Sequence, residues 1–461
     1  MFLRYSFPLL FGLLLMVYYR LPAMAQRGLL LGFSIFFYAR AGWVSLGLMV
    51  LAAAICYGAA LAMDRWPGRR EILWSCLAAN FSLLALCRFC FPAGAMPVGI
   101  SFYLLQGVGY CVDVYRGTIR AERGALRFGL FLSFFPQMEQ GPIGKYDTLS
   151  RELSGGRKYD PEQVSAGLAR MAWGYFKKLV VADRLAVPVA ALKCCYGPGF
   201  ALLTVLYTLR LYADFTGGMD MALGAARALG IRLEENFDRP FLSKSVAEYW
   251  RRWHITLGRW MKEYIFYPLC VSTPLLRLGR AARKRLGARG KRLSVYIASG
   301  ITWLATGLWH GVTPNFLLWG MLNCAFVLIS QELAPLYARF HKRFGWKGKR
   351  WYATFEMART FFLMNLIRAC DLFPNPLDYV NRLMSLVRWG TIPELGLGAG
   401  DWWILALGTA LMFGAEACRE RLLQLTPDAK WAGVAVMVVA VLVFGCYGPG
   451  YDAGSFIYAG F

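Results

Sequence analysis

The chain contains three histidines, His254, His310 and His341. A proton carrier that works at neutral pH must come from these residues or from a carboxylate. His310 ends an apolar segment that begins near residue 294. An ionisable side chain there costs free energy unless it is paired or faces a wet cavity, which makes it a candidate for function. The alternative is a buried imidazole bonded to a backbone carbonyl in a tight helix crossing, and the local pattern leaves both open.

Two glycines flank this histidine. Gly307 and Gly311 are four residues apart and therefore lie on one helix face. Small residues at this spacing allow a neighbouring helix or a substrate to approach the backbone closely. His341, by contrast, lies in a basic stretch and is expected to be solvated.

His254 lies in residues 249–257, Tyr-Trp-Arg-Arg-Trp-His-Ile-Thr-Leu, which is both aromatic and cationic. On a helix, Trp250 and His254 share a face, and Glu248 can pair with Arg252. The segment is too polar to span a membrane and too aromatic for a plain loop. It suits a re-entrant or interfacial helix whose Trp side chains lie at the interface and whose Arg side chains contact phosphate or carbonyl groups. An interfacial helix without chemistry remains the alternative.

Asp214 follows a long apolar run, and Asp220 comes six residues later. Arg210 lies four residues before Asp214, so the simpler interpretation is that the two charges neutralise each other. The second interpretation is that these carboxylates, with Asn236 and Arg239, brace the histidines in a polar core.

The composition favours a membrane protein. Of 461 residues, 57% are hydrophobic, 16% aromatic and only 17% charged, and the net charge is +24. This excludes intrinsic disorder and argues against a soluble enzyme. A basic nucleic-acid-binding domain would be less apolar, so the positive charge is attributed to cytoplasmic loops.

Hydropathy predicts ten or eleven membrane spans, some of them broken, since each needs about 20 mostly apolar residues. The fold class is therefore all-α, as one polytopic membrane domain over 1–461 with additional re-entrant or interfacial helices. The predicted spans are 3–19, 43–63, 71–91, 97–114, 198–216, 293–310, 312–333, 353–370, 402–418 and 431–447, with shorter apolar pieces at 28–40 and 125–137.

Positively charged stretches set the expected topology. Residues 65–70, 277–292 and 342–350 are rich in Lys and Arg and are predicted to be cytoplasmic loops. They contact anionic lipid or, alternatively, dock an acidic carrier or an acyl-CoA phosphate. Residues 23–25 resemble a signal-peptidase site, but the flanking arginines favour a retained first helix with residues 20–27 in the cytoplasm.

The twelve cysteines are scattered through apolar segments and are expected to be mostly small core residues. Cys87 and Cys90 have the spacing of a redox or metal pair, but no second pair lies nearby in the sequence. No metal site is therefore predicted.

Several short runs resemble the membrane-bound O-acyltransferase (MBOAT) family, in particular its bacterial AlgI-like branch, which is related to DltB. Together they cover most of the chain in family order, and the pairing of the Trp-Arg-Arg-Trp-His run with the Gly-Leu-Trp-His-Gly run is the most specific. The runs are residues 97–103, 134–137, 141–143, 212–215, 235–237, 240–241, 250–254, 307–311 and 456–458.

The resemblance implies acyl transfer to a hydroxyl of a cell-envelope polymer or of a relay protein. It makes His310 the catalytic residue, midway along a tunnel through the protein, and places His254 near the cytoplasmic entrance. The AlgI-like branch acts with an extracytoplasmic acetyltransferase- or esterase-like partner in the O-acetylation of alginate, cellulose or peptidoglycan. The DltB branch moves D-alanine from a carrier protein toward teichoic acid. The implied location is the bacterial cytoplasmic membrane.

Some positions depart from the family pattern. Residues 320–324 read Gly-Met-Leu-Asn-Cys, where many relatives carry a further histidine. Residues 218–220 read Gly-Met-Asp in place of Tyr-Ser-Asp, and residues 138–140 before Gly141 are more polar than usual.

Acyl transfer to a hydroxyl needs a base and a group that stabilises the oxyanion. The hypothesis assigns the base to His310 and the oxyanion donor to Asn315, the Trp309 indole or His254. Arg251 and Arg252 are the candidates for gripping the donor, an acyl-CoA or acyl-carrier thioester, with no bound cofactor or metal. The substrate-binding candidates are Trp250, Arg251, Arg252, Trp253, Trp309, Asn315, Asp214 and Asn236.

Two other classes of protein remain possible at this point. A transporter or flippase also has broken helices and buried charges, although the chain shows no internal repeat. A scaffold that kept the fold without the chemistry would not need both His254 and His310.

Overall fold

The computed structural model describes residues 2–91, 96–287, 290–448, 451 and 456–457. Tyr458 and Arg289, which belong to the tail run and to a basic stretch, lie outside this range. The helices in the first half are α1 (Ser6–Tyr18), α2 (Ala23–Ala39), α3 (Trp43–Arg65), α4 (Arg70–Cys90), α5 (Ile100–Tyr115), α6 (Ala125–Ser133), α7 (Tyr146–Ser154), α8 (Pro161–Tyr175), α9 (Asp183–Leu192) and α10 (Pro198–Ala228).

The second half is also helical. Its helices are α11 (Val246–Arg252), α12 (Ile255–Met261), α13 (Tyr267–Cys270), α14 (Thr273–Leu286), α15 (Leu293–His310), α16 (Pro314–Glu332), α17 (Ala334–Phe344), α18 (Arg350–Arg368), α19 (Pro376–Ser385), α20 (Ala399–Ala417), α21 (Arg419–Leu423) and α22 (Pro427–Phe444). Short 3₁₀ turns lie at Phe135–Gln137, Pro240–Leu242, Gly290–Arg292 and Ala369–Leu372, and π-helical segments at Phe176–Ala182 and Lys262–Phe266.

The predicted all-α class is confirmed. In the part of the chain that is described, the only β pairing outside the helices is an isolated antiparallel bridge between Phe237 and Trp253. Each of the ten predicted spans coincides with a helix, and the two shorter apolar pieces coincide with α2 and α6. Among the described residues, α3, α4 and α22 are long and apolar enough to cross a membrane singly, and α16 and α17 qualify as a pair bent by 51°.

The chain divides into two compact units of discontinuous sequence. The first unit comprises Met1–Arg184, Arg210–Glu235 and Gly398–Phe461, and the second comprises Leu185–Leu209 and Asn236–Leu397. Both histidines of interest therefore belong to the second unit, and Asp214 belongs to the first. The single membrane domain over 1–461 stays a prediction.

Aromatic side chains fill part of the core of the first unit. Phe7 and Phe11 on α1 stack with centroids 5.7 Å apart, and Phe135 approaches Phe33 on α2 at 4.9 Å. α1 buries Phe7, Phe11, Leu14 and Tyr18, a spacing of three and four residues that forms one face of a helix. This face explains why a helix of only 13 residues is held in place.

The most basic stretch of the sequence is not a loop. The predicted cytoplasmic loop at 277–292 instead begins with α14, which carries Arg277, Arg280 and Arg283 on a largely exposed surface. Arg and Lys are good helix formers, and leucines and alanines interspersed at helical spacing give α14 an apolar face. Such a helix suits a membrane surface. His341, expected to be solvated, lies in α17 and contacts the Tyr352 hydroxyl at 3.0 Å.

α15 and α16 cross closely in the second unit. A Cβ on Gly307 would lie 2.4 Å from the carbonyl oxygen of Phe316, and a Cβ on Gly320 would lie 2.4 Å from that of Trp303. These distances are too short for any side chain without backbone movement. The predicted role of Gly307 in a close approach is confirmed, with α16 as the neighbour.

Replacing Gly307 with valine should force α15 away from α16. We expect a loss of about 1–3 kcal/mol, as for an overpacked core, and a lower unfolding temperature in detergent. Gly300 provides a matched control on the same helix, because a Cβ there meets nothing within 4 Å. If Gly307→Val unfolds at the same temperature as Gly300→Val, the close crossing is not required for stability.

Candidate active site

His310 is the last residue of α15 and is only 6% exposed. The chain continues through an extended Gly311 and begins α16 at Pro314. Three aromatic rings surround the imidazole: Trp319 lies edge-on at 4.9 Å, Trp309 at 4.8 Å, and Phe316 nearly parallel at 6.1 Å. The crossing of α15 and α16 thus places His310 at the end of a helix, within an aromatic enclosure.

His254 lies in the tight turn between α11 and α12. Its backbone adopts the left-handed conformation with φ +48°, and the residue is 3% exposed. The backbone N–H of Ile255 donates to the Asn236 carbonyl, and the Phe237–Trp253 bridge lies beside it. The strain of a positive φ in a non-glycine residue is tolerated where the surroundings fix the conformation, a situation typical of functional sites.

Asn236 determines which nitrogen of His254 carries the proton. Its Oδ1 accepts hydrogen bonds from the Thr256 N–H at 2.9 Å and from the Thr256 hydroxyl at 3.0 Å. A backbone N–H can only donate, so the Asn236 atom that faces it must be oxygen. Nδ1 of His254 lies 3.3 Å from the same oxygen and therefore carries the proton. Burial lowers the pKa of His254 to about 3, so the ring is neutral and Nε2 is its basic nitrogen.

Trp309 contacts both histidines. Its ring centroid lies 5.8 Å from His254 in an edge-to-face arrangement and 4.8 Å from His310. The structure therefore brings together His254, His310 and Trp309. Trp309 is adjacent to His310 in the sequence, whereas His254 lies 55 residues before Trp309.

Trp250 and Trp253 lie on the same short segment but have different surroundings. The Trp250 indole N–H donates to Asn323 Oδ1 at 3.0 Å, and its ring approaches Trp319 at 5.6 Å. Asn323 thus connects α11 to α16. Trp253 instead stacks on Tyr249 at 5.6 Å.

Arg368, which sequence reasoning missed, lies over the Trp253 ring. Its guanidinium carbon is 4.0 Å from the ring centroid, and its Nη2 donates to the Tyr249 hydroxyl at 2.5 Å. A buried arginine above an indole is a strong cation–π arrangement. The signal was present in the sequence, because an arginine at the end of a predicted span is itself a candidate for function.

Asn315 lies in the first turn of α16 and is 1% exposed. Its Nδ2 donates to the Cys370 carbonyl at 3.2 Å, and the Cys370 thiol donates back to the Asn315 carbonyl. Asn315 Oδ1 is buried and has no hydrogen-bond partner among the described residues. The amide therefore presents an acceptor, while one of its N–H groups is already engaged.

The two arginines proposed to grip a donor differ in their charge environment. Arg252 forms the predicted pair with Glu248, with Nη2 and Oε1 2.8 Å apart, which confirms the i,i+4 prediction. Arg251 is exposed. Arg251 is thus the better placed of the two to bind an external anion.

Asp214 is neutralised by Lys178 rather than by the Arg210 that the sequence spacing suggested. Lys178 Nζ lies 2.6 Å from Asp214 and 2.8 Å from Asp183, inside the first unit. Asp214 also accepts from the Ile457 N–H at 3.0 Å. The π-helical segment at Phe176–Ala182 shifts the side-chain register there, which helical spacing alone does not predict.

Asp220 likewise belongs to a network of the first unit. Arg170 contacts Asp220 at 2.8 Å and Glu235 at 2.6 Å, and Lys177 contacts Asp220 at 2.5 Å. Asn236 braces His254 as the second interpretation proposed, and Arg239 pairs with its neighbour Asp238.

The model of the membrane-bound O-acyltransferase family matches residues 119–367. The chain belongs to this family. The match includes both buried histidines, and it confirms the resemblance seen in the sequence and the polytopic membrane class.

Relatives with curated names fall into three groups. The chain is 32% identical to the probable alginate O-acetylase AlgI of Azotobacter vinelandii, over 72% of this chain and 68% of that protein. It is 27% identical to the peptidoglycan O-acetyltransferase of Helicobacter pylori, over 82% of this chain and 81% of that protein. It is 22% identical to the teichoic acid D-alanyltransferase of Bacillus subtilis, over 57% of this chain and 65% of that protein.

The extent of these matches varies. A further AlgI relative, from Pseudomonas syringae pv. tomato, is 34% identical over 52% of this chain but only 43% of its own length. The chain therefore spans about half to two thirds of the AlgI proteins that it matches.

Proposed function

We propose that the protein is a membrane-bound O-acyltransferase that moves an acyl group, with acetyl favoured, from a cytoplasmic thioester to a hydroxyl group outside the cytoplasm. The acceptor is a polysaccharide or a partner protein. The main support for the proposal is that two buried histidines, His254 and His310, both contact the ring of Trp309. The names of the relatives, alginate O-acetylase and peptidoglycan O-acetyltransferase, support acetyl over D-alanine because their matches are closer.

His310 is the proposed base. It is buried within an aromatic enclosure, and an imidazole nitrogen without a proton can accept one. The ring accepts the proton of the acceptor hydroxyl as the oxygen attacks the thioester carbonyl, and returns it to the thiolate as the C–S bond breaks. Base catalysis of this kind contributes roughly 10²–10⁴-fold.

The hydrogen bonds favour Trp309 as the oxyanion donor among the three candidates. An indole N–H can only donate. His254 donates its Nδ1 proton to Asn236, so its Nε2 is an acceptor, and Asn315 uses one N–H for the Cys370 carbonyl and has a second N–H and Oδ1. The Trp309 indole can only donate and contacts both histidines, which makes it the preferred donor to a developing negative charge.

Replacing Trp309 with phenylalanine should lower kcat by about 10²-fold, the usual effect of losing one oxyanion donor. The ring contacts to both histidines would be retained, so KM for the donor should change little. Trp319→Phe is the matched control, since it keeps a ring beside His310 and removes a different indole N–H. Equal rates for Trp309→Phe and the wild type would exclude the indole as the donor.

The thioester donor, acyl-CoA or an acyl carrier, is proposed to bind near Arg251 on the cytoplasmic side. An exposed guanidinium can form charge-assisted bonds with a CoA phosphate or an acidic carrier. The protein is proposed to lie in the bacterial cytoplasmic membrane and to act with an extracytoplasmic acetyltransferase- or esterase-like partner. A tunnel would allow donor and acceptor to meet without either crossing the bilayer.

Replacing Arg251 with alanine should raise KM for the donor about tenfold, as expected from losing one charge-assisted bond. KM for the acceptor should stay unchanged. Arg252→Ala is the control, because its charge is already paired with Glu248, and a smaller effect is expected. A donor KM unaffected by Arg251→Ala would contradict the proposed grip.

The function is tested by mass spectrometry of envelope polymers from cells with and without the protein. Loss of ester-linked acetyl groups from a polysaccharide or from peptidoglycan supports the proposal. Loss of ester-linked D-alanine from teichoic acid would instead support the second candidate, which the Bacillus subtilis relative suggests. Unchanged polymers, together with uptake of labelled solute by the purified protein, would favour a transporter.

A further inference from the structure

Three cysteines from three different helices meet inside the first unit. Cys56 lies on α3, Cys76 on α4 and Cys111 on α5, and all three are buried. Their sulfur atoms lie within 4.8 Å of one another, and those of Cys76 and Cys111 are 3.6 Å apart. The sequence separates them by 20 and 35 residues, so their meeting was not visible in the spacing.

These sulfur–sulfur distances match those of a metal–thiolate site. A tetrahedral zinc ion holds each sulfur at about 2.3 Å, which places neighbouring sulfurs about 3.8 Å apart. The observed separations need only side-chain adjustments to reach this value. Cysteine thiolates select Zn²⁺ and Cu⁺ over hard cations such as Mg²⁺.

Asn80 completes the polar surroundings of the cluster. It is fully buried on α4, where its Nδ2 donates to the Cys76 carbonyl at 2.8 Å and approaches the Cys76 sulfur at 3.5 Å. Its Oδ1 lies 3.7 Å from the Cys56 sulfur. Asn80 therefore holds an N–H donor beside one sulfur and an oxygen beside another, which suits either a fourth ligand or a group that orients the thiolates.

A surface groove of the first unit includes Cys76, one of the three cysteines, in its lining. It has a volume of about 400 Å³ and runs between α3 and α4. Glu71 lies in its wall and supplies a carboxylate that attracts cations. The residues that line it are Ile55, Ala59, Glu71, Ile72, Ser75 and Cys76.

We propose that Cys56, Cys76 and Cys111 bind one thiophilic ion, Zn²⁺ or Cu⁺, in a structural site that joins α3, α4 and α5. A cysteine coordinates such an ion as a thiolate, so each of the three thiols releases its proton to the solvent, and no electron is transferred. Three thiolates leave a net charge of −1 with Zn²⁺ and −2 with Cu⁺, and the Asn80 Nδ2–H beside the Cys76 sulfur offsets part of this charge. The inference is independent of the proposed acyl transfer.

The test measures metal bound to the full-length protein purified in detergent under anaerobic, reducing conditions. The protein is incubated with Zn²⁺ in one arm and with Cu⁺ in the other, freed of excess metal, and analysed by elemental mass spectrometry. We expect one ion per chain in one of the two arms. The arm in which it is retained identifies the metal.

Cys76→Ser should reduce retained metal at least tenfold. Cys87→Ser is the matched control, because Cys87 is a buried cysteine on the same helix outside the cluster, and it should retain the ion. Cys111→Ala provides a second variant if Cys76→Ser does not elute as a folded species. Wild-type protein that retains no ion in either arm, or equal retention in the wild type and both cluster variants, would overturn the proposal and leave the three thiols as core residues.

Discussion

Replacing His310 with alanine should lower acyl transfer by about 10²–10⁴-fold, the contribution of a positioned base. We assign the base to His310; His254 donates a hydrogen bond from Nδ1 to Asn236 and has Nε2 as its acceptor nitrogen. His341, on α17, is hydrogen-bonded to the Tyr352 hydroxyl on α18. The assay is the content of ester-linked acyl groups in the envelope polymer of cells that express each variant.

Two controls separate chemistry from folding. His310→Gln keeps a polar side chain of similar size within the aromatic enclosure, and it should be inserted in the membrane at wild-type levels while remaining inactive. His341→Ala removes a histidine elsewhere in the second unit and should remain active. Acylation by His310→Ala at the wild-type level would exclude His310 as the base.

Replacing Lys178 with methionine should cost about 3–5 kcal/mol of stability. Lys178 is 0% exposed and Asp214 is 1% exposed, so the substitution leaves a buried carboxylate without its cation. Asp183 would lose the same partner. The effect should be measured as a lower unfolding temperature of the purified protein.

Replacing both Lys178 and Asp214 tests whether the loss of stability comes from the unpaired charge or from the changed packing. Lys178→Met combined with Asp214→Leu should be less destabilising than Lys178→Met alone, because no carboxylate remains at position 214. Arg151→Met is the surface control, since the Arg151–Asp147 pair is 3.8 Å apart and largely exposed, and its loss should cost no more than about 1 kcal/mol. If the double variant is as unstable as the sum of its single replacements, the pair is not the source of the stability.

The helices were predictable because hydropathy sets them locally. Every predicted span coincides with a helix, since a run of about 20 apolar residues in lipid must satisfy its backbone hydrogen bonds within itself. The basic stretch at 277–292 was assigned to a loop because its positive charge was used only to predict the cytoplasmic side, without considering its helical periodicity. Its leucines and alanines, at helical spacing, produce α14 instead.

The site was predictable only in part. Because the chain has only three histidines, His254 and His310 were evident candidates. The apolar segment before His310 and the aromatic, cationic run around His254 distinguished them from His341. The hydrogen bonds from Thr256 and His254 to Asn236 depend on the left-handed backbone conformation of His254. The residue pattern does not predict this conformation. The same holds for Lys178, whose partnership with Asp214 depends on a π-helical segment.

Cysteine spacing was similarly uninformative. Among the described residues, Cys56, Cys76 and Cys111 form a cluster through the packing of three helices, whereas Cys87 and Cys90, the pair with a recognisable spacing, belong to none. Tertiary contacts of this kind follow from helix crossings and not from local sequence.

In the proposed mechanism, a thioester from one side of the membrane and an alcohol from the other both reach His310. Inside-out membrane vesicles from cells that contain the protein and its natural partners provide the test. Acetyl-CoA with a labelled acetyl group is supplied at the exposed cytoplasmic face. We expect labelled ester to accumulate on material inside the vesicles, protected from added esterase, and His310→Ala vesicles to show none. Label that remains outside, or that enters equally with His310→Ala, would show that the two substrates do not meet at His310.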